Sequence, residues 1–160
     1  AQVVQADLSD LPPEIRQRRY NHVLANPPYF LRENGTPSFD VSRETALGEQ
    51  TSLALWVEVA AKRLQPGGCA TFIQRAERLD QLLALMGQHL GSLQVLPFAP
   101  RVARDSHLVL VRARKGGRTA LRLHAPVILH SGAVHVRDQE DYSAEVSAVL
   151  RHAQCLYFPV

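Results

Sequence analysis

The residues with the clearest chemical potential are Asn26, Pro27, Pro28 and Tyr29, which follow the apolar run at 22–25. A planar amino group on a base or an amide is a poor nucleophile because its lone pair is delocalised. Two hydrogen-bond acceptors aimed at its two N–H bonds would orient it and favour the pyramidal form that attacks an electrophile. The Asn26 side-chain oxygen and the Pro27 main-chain carbonyl are acceptors of this kind. The motif therefore predicts a site for reaction at a planar amino group.

The residues around the two acceptors favour the same chemistry. Pro28 restricts Pro27 to extended backbone and removes a competing N–H, so the carbonyl directions stay fixed. Tyr29 offers a flat face for an unpaired base, and such stacking is worth roughly 1–3 kcal/mol. A rigid turn would explain the two prolines, but not the Asn before them or the aromatic pair Tyr29-Phe30 after them. A reaction with a strong electrophile needs no general base. Holding the two reactants close together can alone lower the activation barrier by about 7–11 kcal/mol.

The elements that must position this motif alternate between strands and helices. Apolar runs predict strands at 3–8, 20–26, 69–74, 93–98, 107–114 and 121–129. Apolar residues at spacings of three and four predict helices over 53–64, 77–90 and 143–153, with Ser143 as the N-cap of the last. The proline-containing stretch 9–19 predicts a connection or a one-turn helix, and Pro66-Gly67-Gly68 is expected to stop the first long helix.

This order predicts an α/β fold with parallel core strands. The strands 93–98 and 107–114 have no helix between them, so we expect them to form a closing antiparallel hairpin. Ligands of open α/β sheets bind outside the carboxyl ends of the strands. Asp7 and Asn26 each stand where a predicted strand ends, which makes both candidate binding residues.

Composition bounds the class of protein. With 160 residues, 46% hydrophobic and 21% charged, the chain has the make-up of a globular domain rather than of a disordered protein. No apolar run approaches the roughly 20 residues needed to span a bilayer. Cys69 and Cys155 show no metal-ligand spacing and indicate free thiols in the cytoplasm. The seven histidines also lack the spacing of metal ligands, so no metal site is predicted. Glu140 and Asp141 are expected to form a solvated turn.

Positive charge is concentrated in the middle of the chain. Residues 61–120 hold ten Lys or Arg against three Asp or Glu, although the net charge of the whole chain is only +3. Such a distribution favours a polyanionic partner. Arg101 and Arg104 beside the predicted hairpin, with Arg32 and Arg43 after the Asn-Pro-Pro-Tyr motif, are candidate phosphate contacts.

Beyond these patterns, "NPPYF" after an apolar strand resembles the amino-group methyltransferases of the S-adenosylmethionine (SAM)-dependent Rossmann-like class. The similarity extends along most of the chain to one subgroup, the bacterial adenine-N(6) methyltransferases that act on the anticodon loop of valine tRNA. It covers Ser42, Arg43 and Ala46, the segment from Trp56 to Gly68, "PFAPRVARDSHLVLVRARKGG", "LHAPVILHSG" and "YSAEVSAVL". This resemblance implies SAM as cofactor and RNA, most specifically tRNA, as partner.

The resemblance also implies roles for individual residues. Asp7, with Leu8 beside it, would hold the adenine of SAM, and Asn26 would border both the cofactor and the target. Asn26, Pro27 and Tyr29 would form the catalytic set. Pro28, Tyr29 and Phe30 would line the pocket for the target base, and Arg32, Arg43, Arg101 and Arg104 would contact the rest of the substrate.

One part of the family pattern is missing from the sequence. The nine glycines include no G-x-G, so neither the family's glycine-rich SAM loop nor a P-loop is present. The resemblance implies that the first strands of the class lie upstream of Ala1. We therefore expect residues 1–160 to form a single domain that is the C-terminal two-thirds of a methyltransferase domain, and to be inactive alone.

Two other functions fit part of the sequence. A release-factor type of methyltransferase acts on a protein glutamine amide, which also has two N–H bonds on a planar nitrogen. The basic middle third and Phe30 favour RNA, because the glutamine enzymes usually have an aliphatic residue after the Tyr. A non-catalytic RNA-binding domain would explain the missing SAM loop. A ribosomal-RNA guanine methyltransferase is a variant of the nucleic-acid adenine methyltransferase hypothesis, but that group usually has Phe and His after the prolines.

Overall fold

The structure, a computed structural model, describes residues 1–28, 52–132, 141–156 and 158. Its centre is a six-stranded sheet in which the strand order is β1-β2-β4-β3-β5, with β6 also paired to β3. The strands are β1 (Tyr20–Ala25), β2 (Leu64–Arg75), β3 (Gly91–Ala99), β4 (Leu108–Arg114), β5 (Arg122–Leu123) and β6 (Val127–Ile128).

Strand direction follows the predicted pattern of a parallel core closed by a hairpin. β1 is parallel to β2, and β5 and β6 are parallel to β3. β4 lies between β2 and β3 and is antiparallel to both. β1, β2 and β3 therefore run in one direction, and the α/β, Rossmann-like open sheet predicted from the sequence is confirmed.

Four helices accompany the sheet in the described residues: α1 (Pro13–Arg16), α2 (Leu53–Arg63), α3 (Leu79–His89) and α4 (Ala144–His152). Ser52 and Ser143 cap α2 and α4, because each hydroxyl accepts a hydrogen bond from the backbone N–H three residues later. The apolar faces of α2 and α3 form one core with the sheet, which includes Leu53, Val57, Phe72, Leu82, Met86, Val95, Val109 and Val111.

The end of α2 differs from the prediction. The helix ends at Arg63 and β2 begins at Leu64, so Pro66-Gly67-Gly68 lies inside the strand rather than stopping the helix. The pairing with β1 shifts there, from Tyr20 opposite Leu64 to His22 opposite Cys69. Gly67 has a φ of 77°, and a β-carbon on Gly68 would lie 2.9 Å from the Asn21 carbonyl oxygen. Two strands approach so closely only because glycine has no side chain.

Two predicted strands were also wrong. Residues 1–7 form no strand, Val3 is 95% exposed, and a 3₁₀ turn follows at Leu8–Asp10. A β-branched run needs a neighbouring strand, and no described strand pairs with this one. The run 121–129 forms two short strands, β5 and β6, instead of one, because Pro126 between them has no N–H to donate.

The part of the chain that the structure describes contains neither a membrane-spanning helix nor a metal-binding cluster. No helix there combines the length and apolar character needed to cross a bilayer. The same residues contain no group of three or more His, Cys, Asp or Glu placed to hold a metal ion. Cys69 and Cys155 are free thiols.

Candidate functional site

The carboxyl ends of β1, β2 and β3 lie at one edge of the sheet, which we call the carboxyl edge. It comprises Asn26-Pro27-Pro28 after β1, the 3₁₀ turn Ala76–Arg78 after β2, and residues 100–107 between β3 and β4. Neighbouring strands are about 4.8 Å apart, so β1 and β3, three spacings apart, are separated by roughly 14 Å. The topology thus places the Asn-Pro-Pro segment at the same edge as Arg101 and Arg104.

Asn26 is held at this edge by a buried neighbour. The Asn26 side chain is exposed and makes no hydrogen bond with any described residue, whereas Pro27 is fully buried. Val23 and Ala25 of β1 face the core, and Ala25 pairs with Phe72, so Pro27 continues the buried face level with Gln74. The burial of Pro27 anchors the loop while leaving the Asn26 amide accessible.

Arg78 ties the loop to helix α3. Pro27 and Pro28 have no N–H, so the backbone here can be held only through its carbonyls. Arg78 donates from Nη1 to the Pro28 carbonyl at 3.3 Å, and from Nε and Nη2 to Gln81 Oε1 at 3.3 and 3.2 Å. The Arg78 residue is 7% exposed and immediately precedes α3. Its guanidinium therefore fixes the Pro28 peptide to the start of a packed helix.

Gln74 leaves a donor unsatisfied beside Pro27. The Gln74 residue is fully buried at the end of β2, and its Oε1 accepts a 2.8 Å hydrogen bond from the Arg75 N–H. That donor sets which way the amide points. Gln74 Nε2 has no hydrogen-bond partner among the described residues. A buried donor without a partner costs about 1–3 kcal/mol, so it marks Gln74 as a candidate site residue.

Sequence reasoning missed both Gln74 and Arg78, although each left a signal. Ala70 and Phe72 predict a buried face by alternation, and Gln74 is the next residue on that face. Arg78 stands at a helix N-terminus, where the helix dipole disfavours a cation. A positive side chain there needs a nearby acceptor, and the Pro28 carbonyl supplies it.

Asp7 lies in a turn of its own. Its Oδ1 accepts hydrogen bonds from the Ser9 hydroxyl at 2.6 Å and the Ser9 N–H at 2.8 Å, and these bonds lower the pKa of Asp7. Asp7 is exposed, Leu8 is half-buried, and the 3₁₀ turn that begins at Leu8 contacts α2. Asp7 Oδ2 has no hydrogen bond to a described residue, so it is open to a donor. The assignment of Asp7 and Leu8 to the cofactor stays a prediction.

Arg101 is held by the protein itself. Its guanidinium pairs with Asp141 and donates to the Ser131 carbonyl, and its side chain is 13% exposed. The other Asp141 oxygen lies 2.7 Å from His130 Nδ1. The expected solvated turn is therefore wrong at Asp141, where a half-buried ion pair forms, and Glu140 lies outside the described residues. A substrate contact by Arg101 remains a prediction, but this geometry gives the residue a structural role.

Arg104 offers a matched comparison for Arg101. It is exposed in the same connection, and its side chain forms no ion pair with a described residue. We expect Arg101→Ala to lower the free energy of unfolding by about 1.5 kcal/mol, since hydrogen bonds to charged groups are lost. Arg104→Ala should stay within about 0.5 kcal/mol of the parent. Urea unfolding measures both values, and equal losses would contradict the structural role of Arg101.

The remaining predicted site residues are Tyr29, Phe30, Arg32 and Arg43. All four lie outside the described residues. Their roles at the target base and the substrate backbone stay predictions. The described structure joins Pro28 to Arg78 by a hydrogen bond and extends the buried face to Pro27 level with Gln74. It places Asn26 at the same edge as Arg101 and Arg104.

Comparisons with known proteins establish the fold. No family model and no curated protein matches this chain. A solved structure of a predicted O-methyltransferase from Agrobacterium tumefaciens is similar, with a TM-score of 0.68 and 24% identity over 92% of this chain and 61% of that chain. Structures of M1.HpyAVI and of an M1.HpyAVI–SAM complex align with TM-scores of 0.46 and 0.44 and identities of 14% and 13%. They cover 82% and 83% of this chain and 69% of theirs. The chain thus has the fold of the Agrobacterium protein and spans about three fifths of its length.

Proposed function

We propose that the protein transfers a methyl group from SAM to the exocyclic amino group of an adenine in nucleic acid, with tRNA as the favoured substrate. The observation that carries this proposal is the exposed Asn26 amide, held at the carboxyl edge by buried Pro27 and by the Arg78 bond to Pro28. The likeness in fold to a predicted O-methyltransferase supports methyl transfer as the reaction class. A tRNA substrate would place the protein in the cytoplasm.

An amino group suits this site better than a hydroxyl group. Asn26 Oδ1 and the Pro27 carbonyl offer two acceptors, and an amino group has two N–H bonds whereas a hydroxyl has one O–H. Hydrogen bonding to both N–H groups would orient the nitrogen lone pair toward the methyl carbon. The nitrogen would keep its new methyl group and lose one proton to solvent, which reaches the exposed Asn26. Tyr29, Phe30 and Pro28 would hold the base by stacking and contact.

The residues available for the cofactor fit its adenine end. SAM supplies a methyl group on a sulfonium, which is a strong electrophile. Asp7 is exposed and its Oδ2 is open, so it can accept a hydrogen bond from an adenine amino group. We assign Leu8 to the apolar side of the adenine and Asn26 to the border between cofactor and target base.

The chain is shorter than the similar methyltransferase structure. It spans about three fifths of the similar Agrobacterium protein. We propose that residues 1–160 form one domain that corresponds to the C-terminal two-thirds of a complete methyltransferase domain. The chain alone is then expected to transfer no methyl group. The natural protein that contains it is the form to assay.

Contacts to the RNA backbone are assigned to arginines at and beyond the carboxyl edge. Arg104 is exposed and has no ion pair with a described residue, which makes it the best placed of the described candidates. Arg101, Arg32 and Arg43 complete the proposed set, with Arg101 also serving the structure through Asp141. An adenine in an anticodon loop is already unpaired, so little energy is needed to flip it.

The experiment that tests this function compares two possible methyl acceptors, a tRNA and a protein. The natural protein is incubated with radiolabelled SAM and either unmodified tRNA or a release-factor-like protein. We expect label in the tRNA alone. Label on the protein would favour glutamine methylation, and tRNA binding without any transfer would favour a non-catalytic RNA-binding domain.

A further inference from the structure

A second cluster of positive charge lies at the opposite edge of the sheet. β1 and β2 begin there and β4 ends there, so the topology gathers residues from three parts of the chain. Five arginines occupy this position, and we call them the basic edge: Arg16, Arg18, Arg19, Arg63 and Arg114. The first three precede β1, Arg63 precedes β2, and Arg114 ends β4 with its guanidinium beside Gly67 of β2.

No carboxylate of the described residues neutralises the charges of the basic edge. Among the described residues, none of the five arginines has a carboxylate within 4.0 Å. Neighbouring Lys62 differs, because it pairs with Glu58 one helical turn away. Arg16, Arg18, Arg19 and Arg114 are exposed, so their guanidinium groups can reach an external anion.

Arg63 shows most clearly that an anion would be favourable here. Its Nη1 is buried and has no hydrogen-bond partner among the described residues. Burial lowers the pKa of Arg63, and the positive charges of Arg19 and Arg16 lower it further, while Tyr20 acts in the opposite direction. Lys115 adds another positive charge nearby, where its Nζ donates to the Ala61 and Leu64 carbonyls at 2.7 and 2.9 Å. An anion bound to the exposed arginines would reduce the repulsion among these like charges.

We propose that the basic edge binds backbone phosphates of the RNA whose adenine reacts at Asn26, an inference that rests on the proposed function. Arginine is suited to this task because its planar fork donates two parallel hydrogen bonds to a phosphate. β1 joins the two edges through six residues, which at about 3.3 Å per residue separates them by roughly 20 Å. The phosphates bound there belong to nucleotides well away from the target. The substrate is therefore a structured RNA that extends past the reacting loop, such as a stem–loop.

The test measures RNA binding in the absence of SAM, so that it does not depend on methyl transfer. The natural protein and its Arg18→Glu/Arg19→Glu variant are titrated against a fluorescent RNA stem–loop between 50 and 200 mM salt. We expect the variant to bind on the order of tenfold more weakly near 0.1 M salt. The slope of log K against log salt should fall by about two, one for each phosphate contact removed.

Two controls make the result specific. Arg122→Glu changes the same charge at an exposed residue of β5, outside the basic edge, and should weaken binding by less than about threefold. Arg18→Gln/Arg19→Gln should lose affinity without charge reversal, and circular dichroism verifies that each variant is folded. An unchanged affinity and salt slope in both double variants would overturn the proposal, as would an equal loss in Arg122→Glu. If RNA binding depends on the basic edge but no methyl group is transferred, only the proposed function fails.

Discussion

Replacing Asn26 with alanine is expected to lower the rate of methyl transfer at saturating substrate by about 10²–10³. The substitution removes one of two preorganised acceptors while Pro27, which anchors the loop by burial, stays in place. Asn26 is exposed and bonds to no described residue, so its loss should leave the fold intact. The rate is measured in the natural protein, and the affinity for RNA should change far less than the rate.

Asn26→Asp is the matched control. Aspartate keeps an oxygen acceptor at the same place but removes the amide N–H groups. The Asp variant should therefore lose less activity than the Ala variant. Full turnover by Asn26→Ala would refute the acceptor role, and an Asp variant as slow as the Ala variant would show that the amide N–H groups carry the effect instead.

Arg78→Ala is expected to lower kcat by roughly 10- to 100-fold without contacting the substrate. The loss corresponds to about 1.5–3 kcal/mol, the usual worth of a hydrogen bond from a charged donor. Arg78 holds the Pro28 carbonyl, and the two prolines have no N–H with which to hold the loop otherwise. Without Arg78 the acceptor carbonyl of Pro27 can drift from its direction. Under the proposed function, Arg78 would act as a positioning residue.

Two variants separate positioning from a general loss of structure. Gln81→Ala removes the other bonds that Arg78 makes to a described residue but leaves the Pro28 bond, so kcat should stay within about threefold of the parent. Arg78→Lys keeps the charge but cannot bridge both partners with a planar fork, and we expect an intermediate rate. Steady-state kinetics should show the change in kcat with KM for RNA nearly constant. A KM effect alone, or equal losses in Arg78→Ala and Gln81→Ala, would contradict this role.

Much of the fold was predictable because it depends on local patterns. Apolar runs marked β1 and β4, and apolar residues at helical spacing marked α2 and α3. Ser143 capped its helix as predicted because an N-cap needs only the next three residues. The strand predicted at 3–8 failed because a strand depends on a partner, and β-branched residues alone do not supply one. Pro66-Gly67-Gly68 became a bulge because β1 lies against it, a contact that local sequence does not encode.

The candidate site was predictable only in part for the same reason. The position of Asn26 at a strand end followed from the apolar run before it, and the parallel topology placed that end beside β2. The role of Arg78 depends on a hydrogen bond between residues fifty positions apart in the chain. The basic middle third indicated a polyanion, but only the direction of β4 shows that Arg104 and Arg114 lie at opposite edges of the sheet.

The most direct test of the proposed chemistry is nucleoside analysis of unmodified tRNA after incubation with SAM and the natural protein. We expect N6-methyladenosine to form with the parent protein and to be nearly absent with Asn26→Ala at the same RNA occupancy. RNA without N6-methyladenosine, or equal amounts of it with both proteins, would contradict methyl transfer to an adenine amino group held by Asn26.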